Sequence, residues 1–296
     1  MSIAGRAAGS AGSALPVPPA GSPAATARDG TPAPAAPDDP PPLRIPAIGV
    51  RFLGHATVVL DLPGFRLVTD PFLRASLGPL RRHGPLPRPG AIGPVGFVAI
   101  SHAHPDHFDP ASLRALAGDP LVIVPRGLGA TVRRNGLRAH EVVVGEQVSI
   151  APHWTVTAVP ARHWRWPGAL RAATIGYLIE GPNGAGIYFA GDTGPFQAMA
   201  DLKGRVDLAL LPVGSWGPHL SPGHLSPRTA AEVARRIGAR VAIPIHWGTL
   251  YPRSLDRFLG AGLTEPATQF GEWAGRLVPG LDVRVLQPGE ATTVER

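Results

Sequence analysis

From residue 48 onward, apolar and polar positions alternate in short runs. Ile48–Leu53, Thr57–Leu62 and Phe65–Thr69 are β-branched or two-residue periodic, with Gly54-His55 and Pro63-Gly64 between them. That spacing predicts a three-stranded meander. Further strands are predicted at Val98–Ile100, Leu121–Val124, Val142–Val144, Gln147–Ile150, Thr155–Val159, Thr174–Glu180, Ile187–Ala190, Leu208–Pro212, Val241–Ile245 and Val283–Leu286. Helices are predicted at Pro110–Ala117, Gly127–Asn135, Phe196–Leu202, Leu255–Leu259 and Pro266–Leu277. Pro227–Ile237 is the clearest helix, because Ala230, Val233, Ala234 and Ile237 share one face and Ser226 precedes it as a cap. Strands in two groups, each followed by helices, imply two sheets packed face to face with helices outside. Leu73 to Gly93 is rich in Pro, Gly and Arg and reads as a long loop, which inside a compact domain suggests a functional wall.

Composition changes this picture at the N-terminus. Residues 1–46 are rich in Ala, Pro, Gly and Ser, with almost no large apolar side chains. Such a segment cannot bury enough surface to offset its ordering entropy, so a disordered tail is expected, with a single domain at 47–296. Arg6, Arg28 and Arg44 balance Asp29, Asp38 and Asp39 there, so the formal net charge of +7 belongs to the rest of the chain. That favours anionic ligands only mildly, since solvated arginines explain it equally well. Arginine pairs occur only at 81-82, 133-134 and 235-236, without the clustered basic face that a nucleic-acid partner requires. The absence of cysteine excludes disulfides and thiolate metal ligands. No apolar run approaches the roughly 18 residues of a membrane-spanning helix, and the first residues lack a secretory core, so a cytoplasmic protein is expected.

The chemistry concentrates in SHAHPDHFD, Ser101 to Asp109, directly after the apolar run 98–100. His102, His104, Asp106 and His107 fall within six residues, and imidazole with carboxylate is a ligand set for borderline cations such as Zn²⁺. Crowding them on one turn without a cation is costly. Asp70 after FRLVT, His163 after TVTAVPAR, Asp192 after GIYFAG and His246 after VAIPI each stand just past a predicted strand. Strand ends share one rim of a sheet, so these side chains can converge on the loop. Gly191 and Gly194 allow sharp turning around Asp192. Five histidines and two aspartates suffice for two ions with exchangeable water.

HAHPDH resembles the HxHxDH signature of the metallo-β-lactamase-fold hydrolases. Arg162-His163-Trp164, Gly191-Asp192-Thr193-Gly194 and Ile245-His246-Trp247-Gly248-Thr249 follow in that family's order. Leu53-Gly54-His55-Ala56-Thr57, Thr69-Asp70-Pro71, Pro160–Trp164 and His224-Leu225-Ser226-Pro227 make the chain most similar to one branch. That branch holds N-acyl phosphatidylethanolamine-hydrolysing phospholipase D and ascorbate-6-phosphate lactonase-like proteins. The resemblance runs from residue 48 to about 290. It implies an α/β fold, a four-layer αβ/βα sandwich, with a centre of two divalent ions, usually zinc, with Mn²⁺ or Fe²⁺ as alternatives. Carried over, His102, His104 and His163 hold the first ion, Asp106, His107 and His246 the second, and Asp192 bridges them. Asp70 orients a histidine through its free ring nitrogen. His224 touches substrate and joins Asp106 as a catalytic residue. Pro105 replaces a frequent aromatic, and 73–93 matches no part of the family pattern.

Two close divalent ions acidify a shared water and polarise the bond under attack; Asp106 would position that nucleophile. A site of this kind suits a small-molecule or lipid-like anionic substrate: a phosphodiester, as in phospholipase D, or a lactone. A nuclease of the same fold and a non-catalytic metal-binding protein are the alternatives. Neither a GxSxG elbow nor a Walker loop is present. His55 reads equally as support for a ligand or as a buried turn. His219 is a candidate substrate contact, otherwise surface; His224 could instead belong to a helix-entry turn. Trp164, Trp166, Trp216 and Trp247 flank site residues, and Trp164 and Trp247 are taken as an apolar substrate wall. His83, His140 and His153 read as surface.

Overall fold

Period-two alternation sets how the first sheet is buried. The computed structural model describes residues 46–164, 172–217, 220–258 and 263–295. The expected tail, apart from Pro46, lies outside the described residues, as do Trp166 and His219. In chain order the first half forms β1 (Ile48–Gly54), β2 (Thr57–Leu62), β3 (Phe65–Thr69), β4 (Ser76–Leu77), β5 (Leu80–Arg82), α1 (Pro89–Ile92), β6 (Phe97–Ala99), α2 (Pro110–Ala115), β7 (Leu121–Pro125), α3 (Gly129–Arg134) and β8 (Arg138–Val142). The second half continues with β9 (Gln147–Ala151), β10 (Trp154–Pro160), β11 (Ile175–Glu180), β12 (Gly186–Phe189), β13 (Leu208–Pro212), α4 (Pro227–Ile237), β14 (Val241–Ile245), β15 (Leu250–Pro252), α5 (Glu265–Leu277), β16 (Asp282–Val283) and β17 (Ala291–Val294).

Two sheets result, in the orders β17-β1-β2-β3-β6-β7-β8 and β16-β14-β13-β12-β11-β10-β9. Along the central strands of the first, odd and even residues part company. Val58, Leu60, Leu67, Ala99 and Ile123 join a core shared with the second sheet. Val59, Val68, Val98, Val122 and Val124 join a separate core with Leu113 of α2 and Val132 of α3. The shared core also takes Val233 and Ile237 of α4 and Phe270 of α5. The layers are therefore helix, sheet, sheet, helix, the four-layer αβ/βα sandwich of the metallo-β-lactamase fold. In α4 the Ser226 hydroxyl and Thr229 cap each other's backbone, a motif worth about 1 kcal/mol. Burying Val233 and Ile237 contributes roughly 1.5–3 kcal/mol each.

Direction fixes where the site can be. β3, β6, β7 and β8 run parallel, as do β12, β13, β14 and β16. β10 and β12 both lie antiparallel to β11, so they also share a direction. The C-terminal ends of the strands within each sheet that precede Asp70, His102, His163, Asp192 and His246 thus gather on one rim. No helix among the described residues is long and apolar enough to cross a membrane.

Several elements differ from the sequence reading. Of Val142–Val144 only Val142 is strand, as the end of β8, and Val143 and Val144 are exposed beyond it. Its sequence RAHEV hides the strand because an edge position tolerates polar side chains. The closing strand is β17, Thr-rich and paired with β1, whereas of Val283–Leu286 only Val283 is strand, in the two-residue β16. Gln197–Leu202 and Arg253–Phe258 are 3₁₀ turns, not α-helices. The 73–93 segment is not a plain loop but carries β4, β5 and α1, and β5 pairs with β15 just beyond His246. Within it the buried Arg82 donates to the carbonyls of Leu53, Phe72 and Arg74, tying the approaches to His55 and Asp70 together. Burial pulls its guanidinium down to about 10. His83 is half-buried, edge-on to Tyr251 at 6.0 Å, and not a surface residue.

Candidate metal centre

Loops leaving the shared rim bring the expected side chains together. Ligand atoms of His102, His104, His163 and Asp192 lie within 4.8 Å of one another, and so do those of His55, Asp106, His107 and His246. Asp192 stands against both groups: its Oδ2 is 3.1 Å from His107 Nε2 and 3.9 Å from His102 and His163 Nε2, and its Oδ1 is 3.2 Å from His246 Nε2. Gly191 at φ 58° lets the chain turn there, and a Cβ on it would lie 2.5 Å from Ser101 Cβ.

Local locks hold the loops. The Thr57 hydroxyl donates to Asp70 O and accepts from Phe72 N, while Thr69 Oγ1 donates to Ala56 O. The His55 amide donates to Thr249 Oγ1, and the His246 amide donates to His55 O at 2.7 Å. Arg162 N donates to Thr193 Oγ1 and Gly194 N to Arg162 O, which joins the His163 and Asp192 loops. His55 (φ 57°), Asp70 (φ 32°) and His246 (φ 61°) all hold left-handed backbone, which non-glycine residues adopt only when the surroundings enforce it.

Tautomers follow from the outer hydrogen bonds. His107 Nδ1 donates to Asp70 Oδ2 at 2.7 Å, His163 Nδ1 to Gly223 O at 3.1 Å and His246 Nδ1 to Gly214 O at 3.2 Å. Ser101 Oγ donates to Asp70 Oδ2 at 2.5 Å and accepts from His102 Nδ1 at 2.9 Å. Each of these four rings therefore carries a proton outside and turns its Nε2 inward. Yet His107 Nε2 and His246 Nε2 are 3.2 Å apart, and His163 Nε2 is 3.2 Å from His104 Nδ1. Ring nitrogens packed this closely around a buried carboxylate need a positive charge among them, supplied without metal by His107, whose pKa Asp192 and Asp106 raise against burial, and by a cation when one is bound. Buried and without any hydrogen-bond partner are His102 Nε2, Asp106 Oδ1 and Asp192 Oδ1, three potential ligand atoms in one centre. The residues fit divalent metal.

Electrostatics agree with this division. Burial, then repulsion from His246, holds the His55 imidazole down to about 3, so its Nε2–H donates as a neutral ring to Asp106 Oδ2 at 2.7 Å. Burial also lowers His102, His104 and His163, the last to about 4. For Asp106 and Asp192 burial pushes upward, but the surrounding histidines, His107 foremost, hold both carboxyls well below the usual range. Burial pushes Asp70 upward against the donors from His107 and Ser101. His224 is different. Its Nδ1 faces Ser221 O at 3.0 Å and its Nε2 faces Asp192 Oδ2 at 3.2 Å, both acceptors, so the ring is satisfied only with two protons. Burial opposes that charge, but Asp192 outweighs it and raises the His224 pKa.

Trp164 is 56% exposed and lines the cleft over the centre with Trp216, Pro222 and His224. Trp247 does not line it: the ring is buried, stacked on Phe52, with its N–H on Pro244 O, because its side chain turns into the intersheet core. Trp216, which the sequence singles out only as a neighbour of site residues, donates its indole N–H to Asp106 Oδ2 at 2.6 Å. A signal existed, since Trp216 stands just past the apolar strand LALLP, as Asp192 and His246 stand past theirs. Ser101, which opens the histidine motif itself, was also missed.

Comparison with known proteins agrees with the geometry. Residues 65–247 match the family described as a beta-lactamase superfamily domain. An uncharacterized protein of Mycobacterium tuberculosis strain H37Rv is 32% identical over 245 residues, covering 75% of this chain and 66% of that protein. N-acyl-phosphatidylethanolamine-hydrolyzing phospholipase D 1 of Caenorhabditis elegans is 32% identical over 234 residues, covering 70% of this chain and 65% of that one. The chain thus spans just under two thirds of the length of these two relatives. A UPF0173 metal-dependent hydrolase of Deinococcus radiodurans is 32% identical over 257 residues, 82% of this chain and 98% of that protein. Among solved structures, Igni18, a metallo hydrolase from Ignicoccus hospitalis, shares the fold with a TM-score of 0.64 at 20% identity, over 85% of this chain and 100% of that chain. With this fold, this matched span and a histidine–aspartate cluster suited to metal, the chain belongs to the metallo-β-lactamase superfamily.

Proposed function

We propose that residues 47 to 296 form a single binuclear hydrolase domain that cleaves an anionic ester, a phosphodiester of phospholipase D type or a lactone. His102, His104 and His163 would hold one ion, and Asp106, His107 and His246 the other, with Asp192 between them. The observation that carries this is the pair of ligand groups on either side of one carboxylate. Two divalent ions, zinc by analogy with the family, would supply Lewis acidity and an acidified water.

The chain's own groups suit the remaining tasks. Asp106, with Oδ1 unpartnered, orients the nucleophile. His224 holds a proton at Nε2 beside Asp192 and can deliver it to the leaving oxygen. Trp164, Trp216 and Pro222 give the cleft an apolar wall, which suits an ester bearing a lipid-like or otherwise apolar portion. Names of relatives in Caenorhabditis elegans and Saccharomyces cerevisiae, both N-acyl-phosphatidylethanolamine-hydrolyzing phospholipases D, support the phosphodiester.

The test is elemental analysis of purified protein together with turnover of a phosphodiester, a lactone and a carboxylic ester, with Asp106→Ala as control. Two bound ions and phosphodiester or lactone turnover abolished in the control support the proposal. One ion or none, or turnover retained in Asp106→Ala, overturns it.

A further inference from the structure

Asp106 offers two carboxylate oxygens, and the protein treats them differently. Oδ2 accepts His55 Nε2 at 2.7 Å and Trp216 Nε1 at 2.6 Å. Oδ1 is buried with no hydrogen-bond partner. An indole N–H can only donate, so Trp216 engages the carboxylate in one sense alone. Its ring is also fixed from behind, where it packs on the small apolar cluster of Phe72, Leu80 and Leu250. Leu80 belongs to β5 of the Arg-rich 73–93 segment and Leu250 to β15, the strand it pairs with. The other face of Trp216 lines the cleft.

We infer that Trp216 and His55 are a two-donor clamp that fixes the Asp106 carboxylate with Oδ2 facing His107 and His246 Nε2, at 3.3 and 3.9 Å, where the second ion would be held, and that Trp216 couples this ligand to the substrate wall. The inference rests on the binuclear reading above. Two donors on one oxygen stop the carboxylate from rotating, so its position against His107 and His246 is fixed. The 73–93 segment thereby acquires a purpose, because without its Leu80 the indole loses its backing. Trp216 is a positioning residue toward the metal and a specificity residue toward substrate. The two roles separate by substitution: W216F keeps an aromatic wall and loses the N–H, whereas W216A loses both.

The experiment uses the full chain, stripped and reloaded with Co²⁺, with titration against a chelator and visible absorption as readouts. For wild type, two equivalents are expected. In W216F the second equivalent should weaken about 10-fold or more, in the range seen when outer partners of ligands are removed, with the first unchanged and the visible bands altered. KM should stay near wild type in W216F and rise in W216A. H55F, which removes the other donor, should weaken the same second equivalent. Wild-type affinity and spectrum in both W216F and H55F overturn the clamp while leaving the binuclear reading intact. Uptake of one equivalent by wild type overturns the binuclear reading, and the clamp with it.

Discussion

Asp70 Oδ2 accepts the Nδ1 proton of His107 at 2.7 Å, with both side chains wholly buried. The same oxygen accepts the Ser101 hydroxyl, which in turn takes the Nδ1 proton of His102. One carboxylate behind the site therefore fixes the tautomer of a histidine in each ligand group. Asp70→Asn should lower affinity for divalent metal by roughly 10- to 100-fold, since an amide cannot accept from both partners with the same strength. Competition against a chromogenic chelator measures it. Unchanged affinity would remove Asp70 from the support of the centre.

Asp192 and His224 touch, yet their loss should read differently. Asp192 is the carboxylate facing both groups, so Asp192→Ala should reduce bound metal as well as turnover. His224 sits to one side with its other nitrogen on Ser221 O. His224→Ala should keep its metal and lose turnover to a degree that depends on the leaving group, falling most for poor ones. Metal content and rates on two esters of different leaving-group acidity separate the cases. Equal metal loss in both variants would make His224 a ligand and not an acid.

Most of the fold was legible because alternation and strand-terminal punctuation are local properties. The metal loop was legible because four ligand-type residues in six positions have few other uses. What escaped depends on partners distant in sequence. β8 and β17 carry polar residues because one edge is solvated, so they lack an apolar pattern. Trp247 and Trp216 look alike in sequence, beside a histidine or past a strand, but the first turns inward onto Phe52 and the second toward Asp106. That choice is made by side-chain direction at a strand end, which no local pattern encodes. His55 was undecided for the same reason, since its bond to Asp106 spans 51 positions.

Acid should destabilise the metal-free protein. Burial holds His55 down to about 3 and His163 to about 4, against 6.5 in the unfolded chain, and lowers His102 and His104 as well. Between those values the unfolded chain binds protons that the folded one refuses. Stability is then fully present above about pH 6.5 and lost as pH falls toward 4. Burial likewise pulls on His107 and His224, but Asp192 outweighs it and raises both, so their contribution is present at low pH and fades as pH rises. Four lowered imidazoles oppose two raised ones and the Asp70 carboxyl, which burial raises. At roughly 1.4 kcal/mol per unit, His55 alone is worth several kcal/mol. The urea midpoint of stripped protein should drop from pH 7.5 to 4.5, and a flat or rising profile would contradict the assignment. Loaded protein should fall more steeply, because protons compete with metal for the inward nitrogens.

The two tryptophans assigned together from sequence should part in a stability measurement. Trp247 is 2% exposed, stacked on Phe52 at 5.8 Å between centroids, and its N–H is satisfied by Pro244 O. Trp247→Ala opens a cavity beside the strand end that delivers His246, and should cost about 3–5 kcal/mol. Trp164 is 56% exposed over the cleft, so Trp164→Ala should leave stability within about 0.5 kcal/mol of wild type. KM should rise instead, most for substrates with a large apolar group, while kcat changes little. Thermal melts with Michaelis kinetics on long- and short-chain esters decide it. A stable Trp247→Ala would restore that residue to the substrate wall, and an unchanged KM in Trp164→Ala would take Trp164 off it.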